Sequence, residues 1–186
     1  MKSIYLLSVT VICVTIFYSC EPIIEMFFGK NEELTFTRTD YDGDQLRING
    51  YYYHWLGVPY KDESIVQILF LYGNGLVLWG GNPYFKELSI QENEFINGEY
   101  KKFAKKHPSV WGLFTIDSTS IQYEMLDGGP FRAMINSGKI INDTTFVILK
   151  RKSSYGTYGI KEKTLQDTFR LKPFSPKPDS INKFIK

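Results

Sequence analysis

The sequence predicts a mostly β protein: an antiparallel up-and-down meander or barrel of about eight strands, with one amphipathic helix inserted. Aromatic residues make up 16% of the chain, and flat rings pack well across the pleated face of a strand. Short segments with strand periodicity follow one another between turn residues, without a regular alternation of strands and helices. Consecutive hairpins of this kind favour an antiparallel sheet, and closing that sheet would remove its exposed edges.

The first half of the domain contains four predicted strands. Residues 34–38 alternate in polarity, 46–53 follow a turn rich in Asp and Gly, 65–72 are apolar on both faces, and 76–81 return. Gly73, Asn74 and Gly75 predict a tight hairpin between the last two, because Asn and Gly tolerate positive φ. A strand that is apolar on both faces needs cover on both sides of the sheet.

The predicted helix provides this cover. From residue 83 to residue 107 the period changes, and we place the helix at about residues 85–106. Ile96, Tyr100 and Phe103 lie at i, i+4 and i+7 among Glu and Lys, which is one face of an amphipathic helix. Pro108 ends it, since proline cannot continue a helix.

The second half of the domain returns to strands. Residues 120–126 show the clearest alternation, with Ile121, Tyr123 and Met125 separated by polar side chains. A basic, Gly-rich loop is expected after residue 150, and the tail from residue 175 is expected to be an exposed strap. The five strands predicted here are 110–116, 120–126, 132–141, 144–150 and 167–174.

Residues 46–150 resemble small bacterial lipocalin-like domains. The segments "VWGLFTIDSTSIQYEM" and "SGKIINDTTFVIL" are similar to the second half of such domains, and "NGYYYHW" and "ILFLYGNGLVLW" to their opening strands. The Gly-x-Trp signature of true lipocalins is missing, because Tyr51 and Tyr52 follow Gly50. The resemblance implies a barrel that holds an apolar ligand, and it implies no catalytic residue. The residues at matching positions are Trp111, Ile116, Ile121, Tyr123, Ile140, Asp143, Thr144 and Phe146.

The N-terminus has the pattern of an export signal. Lys2 precedes an apolar run over residues 4–17, which is too short for an ordinary membrane span. The run ends at Ser19 and Cys20, which resemble a bacterial lipobox; Cys13 follows the β-branched Ile12 and fits less well. The resemblance implies that Cys20 becomes an acylated N-terminus on the outer membrane of a Gram-negative cell envelope. An uncleaved anchor helix is the alternative.

These observations divide the chain into four parts. Residues 1–19 are a predicted lipoprotein signal peptide, and 20–33 are the lipidated N-terminus and a spacer. Residues 34–174 form a single barrel-like domain, and 175–186 form the C-terminal tail. The predicted membrane contact is through acyl chains on Cys20.

Composition and motifs argue against several function classes. The net charge of +2 gives no bulk electrostatic case for nucleic acid binding. His54 and His107 lack metal-ligand spacing, and no cysteine follows Cys20. No nucleophile elbow, phosphate loop or zinc-protease motif is present. The sequence therefore predicts neither an enzyme nor a bound cofactor or metal.

Two charged features favour surface roles. The motif from Asp40 to Asp44 has alternate carboxylates, but Gln45 and Tyr51 occupy the places where a calcium loop needs Gly and Glu. We interpret it as an acidic turn. The basic clusters at 101–107 and 150–152 are typical of a solvated face, with contact to anionic lipid as the alternative.

The aromatic residues give the candidate binding site. Barrels hold apolar ligands in mouths lined by aromatic side chains, and we predict such a mouth near Tyr52, Trp55, Trp79 and Trp111. The leading hypothesis is a tethered lipocalin-like protein that binds an apolar small molecule. The alternative is a structural or partner-binding lipoprotein whose barrel is filled with side chains; neither hypothesis identifies a protein partner.

Overall fold

The computed structural model describes residues 33–56, 66–80, 87–127, 132–154 and 160–185. In this part of the chain, antiparallel strands in sequence order form one closed barrel, and the last strand pairs with the first. The predicted fold class is therefore confirmed. The strands are β1 Gly50–Trp55, β2 Val66–Leu71, β3 Leu76–Gly80, β4 Trp111–Asp117, β5 Ser120–Asp127, β6 Arg132–Asn142, β7 Thr145–Ser154 and β8 Ile160–Pro173.

Strand β2 is buried on both faces, as its composition predicts. Leu69 and Leu71 point into the barrel, whereas Ile68 and Phe70 point outward into a second apolar cluster. The hairpin to β3 is also as predicted: Gly75 has φ +77°, and a side chain is disfavoured in that conformation. The protein thus has two cores, one inside the barrel and one on the outside of β1–β4.

Two short helices between β3 and β4 cover the outer core: α1 is Leu88–Ile96 and α2 is Glu99–Ala104. The prediction of one continuous helix is wrong, because Gly98 has φ +76° and separates them. The predicted apolar face is correct only at Tyr100, which is buried. Ile96 and Phe103 are exposed, and Phe95 and Ala104 are buried with Tyr100.

One end of the barrel is closed by the chain before β1, and we call it the capped end. There the backbone N–H of Tyr41 donates to the carbonyl of Gly73 at 2.7 Å, and that of Arg47 donates to Asp143 at 2.8 Å. Leu46 lies in the interior core. We call the opposite end, where β1, β3, β5 and β7 finish, the far end; the loops that follow these strands lie outside the described residues.

The strand predicted at residues 34–38 does not form. This segment is a strap on the outside of β5, where the carboxylate of Glu124 accepts hydrogen bonds from Thr35 and Phe36. A side chain satisfies these backbone donors, so no strand ladder is needed. The predicted strand at residues 46–53 is also shorter at its start, since β1 begins at Gly50.

The end of the chain also differs from prediction. The expected basic loop after residue 150 is largely strand, because β7 continues to Ser154 and β8 starts at Ile160. The tail from residue 175 is docked rather than an exposed strap: Pro178 is buried, and Phe184 packs against the outer core. Among the described residues, no helix has the length and hydropathy needed to cross a membrane.

Candidate binding site inside the barrel

The four aromatic residues predicted to form a mouth do not lie together. Tyr52 is inside the barrel near the capped end, where its hydroxyl donates to the Arg47 carbonyl at 2.8 Å. Trp79 is also inside. Trp55 is 46% exposed, and Trp111 is buried in the outer core, where its indole N–H donates to the carbonyl of Ala104 at 2.8 Å.

A band of polar side chains crosses the barrel interior on the far-end side of the apolar core. Six strands that are neighbours around the barrel contribute one side chain each, and we call this band the polar layer. Its members, from β2 through β1, β8, β7 and β6 to β5, are Gln67, His54, Asp167, Arg151, Asn136 and Tyr123.

Strand register brings the members of the polar layer together. His54 is the cross-strand partner of Gln67, and it contacts Asp167. On the other side of the barrel, Asn136 pairs with Tyr123 of β5 and with Arg151 of β7. Directly paired residues in a sheet point to the same face. Tyr123 points into the barrel, so the side chains of Asn136 and Arg151 point into it as well.

A β-bulge in β7 turns Arg151 inward. Gly138 pairs with Ile148, whereas the preceding Ser137 pairs with Lys150, so β7 holds one additional residue, Leu149. A bulge of this kind re-aims the side chains that follow it. Before the bulge, even-numbered residues such as Ile148 face the interior. After it, odd-numbered residues face the interior, and Arg151 is one of them.

Two groups of contacting polar side chains occupy the layer. Arg151 Nε donates to Asn136 Oδ1 at 2.8 Å. His54 Nδ1 lies 3.1 Å from the carbonyl oxygen of Thr168, and its Nε2 lies 3.5 Å from Asp167 Oδ1. Both ring nitrogens of His54 therefore face acceptors.

Burial dominates the electrostatics of Tyr123. It raises the pKa of the phenol well above its ordinary value. The charge of Arg151 and its approach to the phenol oxygen act in the opposite direction, and Asp167 adds to the increase. The Tyr123 phenol therefore stays protonated over the physiological range. In the described part of the chain, no carboxylate forms an ion pair with Arg151.

Three buried polar groups in or beside the layer have no acceptor for their hydrogen: the indole N–H of Trp79, the side-chain amide N–H of Asn136 and the hydroxyl of Tyr123. All three groups carry a hydrogen that they could donate. A buried donor that lacks a partner costs about 1–3 kcal/mol. This arrangement is unfavourable unless another molecule supplies an acceptor.

The interior between the layer and the capped end is filled. Phe146 stacks on Phe169 with ring centroids 4.9 Å apart, and Tyr52 packs on Phe146 at 5.0 Å. These side chains are almost completely inaccessible. In contrast, His54 and Asp167 in the layer are 16% and 22% exposed, so solvent reaches the interior at the level of the polar layer.

The other predicted features lie away from this site. Asp40, Asp42 and Asp44 are exposed before β1. His107 is exposed after α2, with its ring stacked on Phe103. Within the described ranges, no three His, Cys, Asp or Glu side chains come together in a way that could hold a metal ion. Cys20 lies outside the described residues.

Comparisons of the chain with protein-family models, with curated proteins and with solved structures return no match. The polar layer is thus the main basis for a functional proposal. Sequence reasoning placed His54 at a core or rim position, but it did not identify Gln67, Asn136, Arg151 or Asp167. Strand alternation contains the signal for Gln67, which is two residues before the inward Leu69.

Proposed function

We propose that the protein is a lipid-anchored lipoprotein of the cell envelope, most consistent with a Gram-negative outer membrane, whose barrel binds a small, mainly apolar molecule from the far end. The observation that carries this proposal is the set of ionisable side chains, His54, Arg151 and Asp167, that face the barrel interior. A barrel that only has to be filled would be at least as stable with apolar residues there, because burying charges costs more than it returns.

The surroundings of the layer support a ligand with an apolar part. Trp79 and Leu165 pack on the interior core and are only partly buried, so they offer apolar contacts next to the polar groups. The filled half of the barrel limits the ligand to the far-end half. This combination of apolar walls and a few fixed polar groups is usual for small-molecule sites.

Binding is favoured over catalysis by the orientation of the His54 ring. Its Nδ1 is directed at the Thr168 carbonyl and its Nε2 at Asp167. A general base needs a free ring nitrogen within reach of the proton that it removes. Because both nitrogens are directed at protein acceptors, His54 is better suited to hold its neighbours in place.

Native mass spectrometry of the full chain, released from host envelopes in detergent, tests the binding function. We expect a species heavier than the acylated protein, which loses the extra mass on denaturation. A single mass equal to the acylated chain, together with unchanged tryptophan fluorescence on titration with host lipid extract, would replace this proposal by the structural alternative with a filled barrel.

The tether is tested separately at Cys20. Replacement of Cys20 by Ser is expected to abolish labelling by a fatty-acid probe and to leave the precursor unprocessed, because the modified thiol is removed. Cys13→Ser is the matched control and should be labelled like the wild type. Labelling of the Cys20→Ser variant would contradict the lipoprotein assignment without affecting the binding test.

A further inference from the structure

The unsatisfied buried groups of the polar layer, together with that of the adjacent Trp79, are all hydrogen-bond donors. Asn136 Oδ1 already accepts from Arg151, and Asp167 faces His54. The groups whose hydrogens remain without an acceptor are the indole N–H of Trp79, the side-chain amide of Asn136 and the hydroxyl of Tyr123. A molecule that completes this layer must therefore bring acceptor atoms.

The guanidinium of Arg151 has no direct ion-pair partner in the described residues. Arg151 makes its hydrogen bond to a neutral amide oxygen. Asp167, the acidic member of the layer, is opposite His54 at 3.5 Å. Arg151 is only partly buried, and a guanidinium without an ion-pair partner at such a position attracts an anion through charge-assisted hydrogen bonds.

We infer that the barrel recognises its ligand by a carboxylate group, which binds Arg151 and accepts hydrogen bonds from the neighbouring unpaired donors. This inference rests on the proposed binding function and adds the chemical class of the ligand. A carboxylate supplies two oxygens with about four acceptor positions, and it can form the direct ion pair that Arg151 lacks. The bulge at Leu149 is the structural device that places Arg151 in the site.

Titration calorimetry on the full chain in zwitterionic detergent tests this, with hexanoate, hexanol and inorganic phosphate as probes. We expect hexanoate to bind at least about tenfold more tightly than hexanol, because a charge-assisted hydrogen bond is lost with the alcohol. Arg151→Met should weaken hexanoate binding about tenfold or more and leave hexanol binding unchanged. Arg170→Met, which removes an exposed arginine from β8, is the matched control and should behave like the wild type.

Asn136→Asp provides an independent test that does not depend on removing Arg151. The new carboxylate would have the shape of the amide, would face Arg151 as its counterion and would remove one unpaired donor. We expect a higher melting temperature and loss of hexanoate binding. If circular dichroism shows that Arg151→Met is unfolded, Asn136→Asp decides the question.

The outcomes separate this inference from the proposed function. Equal binding of hexanoate and hexanol, or unchanged hexanoate binding in either layer variant, overturns the carboxylate and leaves a binding barrel. Phosphate binding as tight as that of hexanoate overturns the choice of carboxylate over other anions. If hexanoate, hexanol and host lipid extract all fail to bind, the proposed function is overturned as well.

Discussion

At the scale of single residues, Glu124 connects the strap to the barrel. Its side chain is fully buried on the outer face of β5. The carboxylate accepts hydrogen bonds from the backbone N–H and hydroxyl of Thr35 and from the backbone N–H of Phe36, at 2.7–2.9 Å. An ionised carboxylate is suited to this position because it presents only acceptors.

Replacing Glu124 by Gln is therefore expected to lower the free energy of unfolding by about 1.5–3 kcal/mol, since an amide directs an NH₂ group toward one of these donors. Urea denaturation measures the loss. Glu162→Gln is the matched control: Glu162 pairs with Lys150 on the exposed surface, where such pairs contribute about 1 kcal/mol or less. Equal losses in the two variants would show that the strap is not held by Glu124.

The residue scale also shows which site residues a sequence can reveal. Gln67 can be placed inside by simple alternation from Leu69. Arg151 cannot, because alternation from Phe146 and Ile148 predicts that Lys150 and Lys152 face inward. The bulge at Leu149 reverses that assignment, and no local residue pattern marks it.

At the scale of elements, Gly98 separates the two helices. Its φ of +76° is a left-handed conformation, and an added Cβ would meet nothing within 4 Å. Gly98→Ala should therefore cost only the conformational term, about 1–2 kcal/mol, measured by urea denaturation. Gly73→Ala is the control, since its Cβ would make ordinary contacts at 3.5 Å and 3.7 Å. A Gly98→Ala variant with unchanged free energy of unfolding would indicate that the two helices can form one continuous helix.

The outer core depends on Trp111, which packs beneath α2 and is 1% exposed. Trp111→Ala leaves a large cavity and a carbonyl without its donor, so we expect a loss of about 3–5 kcal/mol in chemical denaturation. Trp55→Ala should have a much smaller effect because Trp55 is exposed. A small loss for Trp111 would mean that the outer layer is not a second core.

Strands that bury one or both faces could be predicted closely, whereas the exposed end of a strand and the buried face of the helices could not. The predicted strand at 120–126 differs from β5 by one residue at its end. The start of β8 was missed because Ile160 and the four residues after it are exposed, so no hydrophobic period distinguishes them from a loop. The helix face was misassigned because Gly98 shifts the phase between Phe95 and Tyr100.

At the scale of the whole molecule, the C-terminal tail connects the barrel, the capped end and the helices. Lys177 Nζ donates to the carbonyls of Ile48 and Leu71 at 2.6 Å and 2.8 Å. Two residues further on, Asp179 pairs with Lys101 of α2. The tail is thus an integral part of the domain rather than an appendage.

The buried lysine of the tail and the buried tyrosines of the domain predict how the free energy of unfolding depends on pH. Burial lowers the pKa of Lys177 from 10.5 to about 8. Between these two values the unfolded chain binds a proton on Lys177 that the folded protein has released, so the free energy of unfolding rises with pH. Burial raises the pKa of several tyrosines above the ordinary 10.0, so the unfolded chain loses protons that the folded protein keeps, and stability falls above that pH. These tyrosines are Tyr51, Tyr52, Tyr72 and Tyr123.

We therefore expect the free energy of unfolding to increase from about pH 8, to reach a maximum between about pH 9 and 10 and to decrease beyond it, because four tyrosines oppose one lysine; urea denaturation across this range measures it. In Lys177→Met the increase should disappear while the decrease at high pH remains, because only the tyrosines still titrate differently in the two states. Lys183→Met, which removes an exposed lysine of the same tail, should keep both slopes. Since each slope reports a difference in bound protons, it is independent of the constant stability that a substitution adds or removes. If the increase between about pH 8 and the maximum persists in Lys177→Met, another group causes it, and Lys177 does not titrate as a buried lysine of the tail.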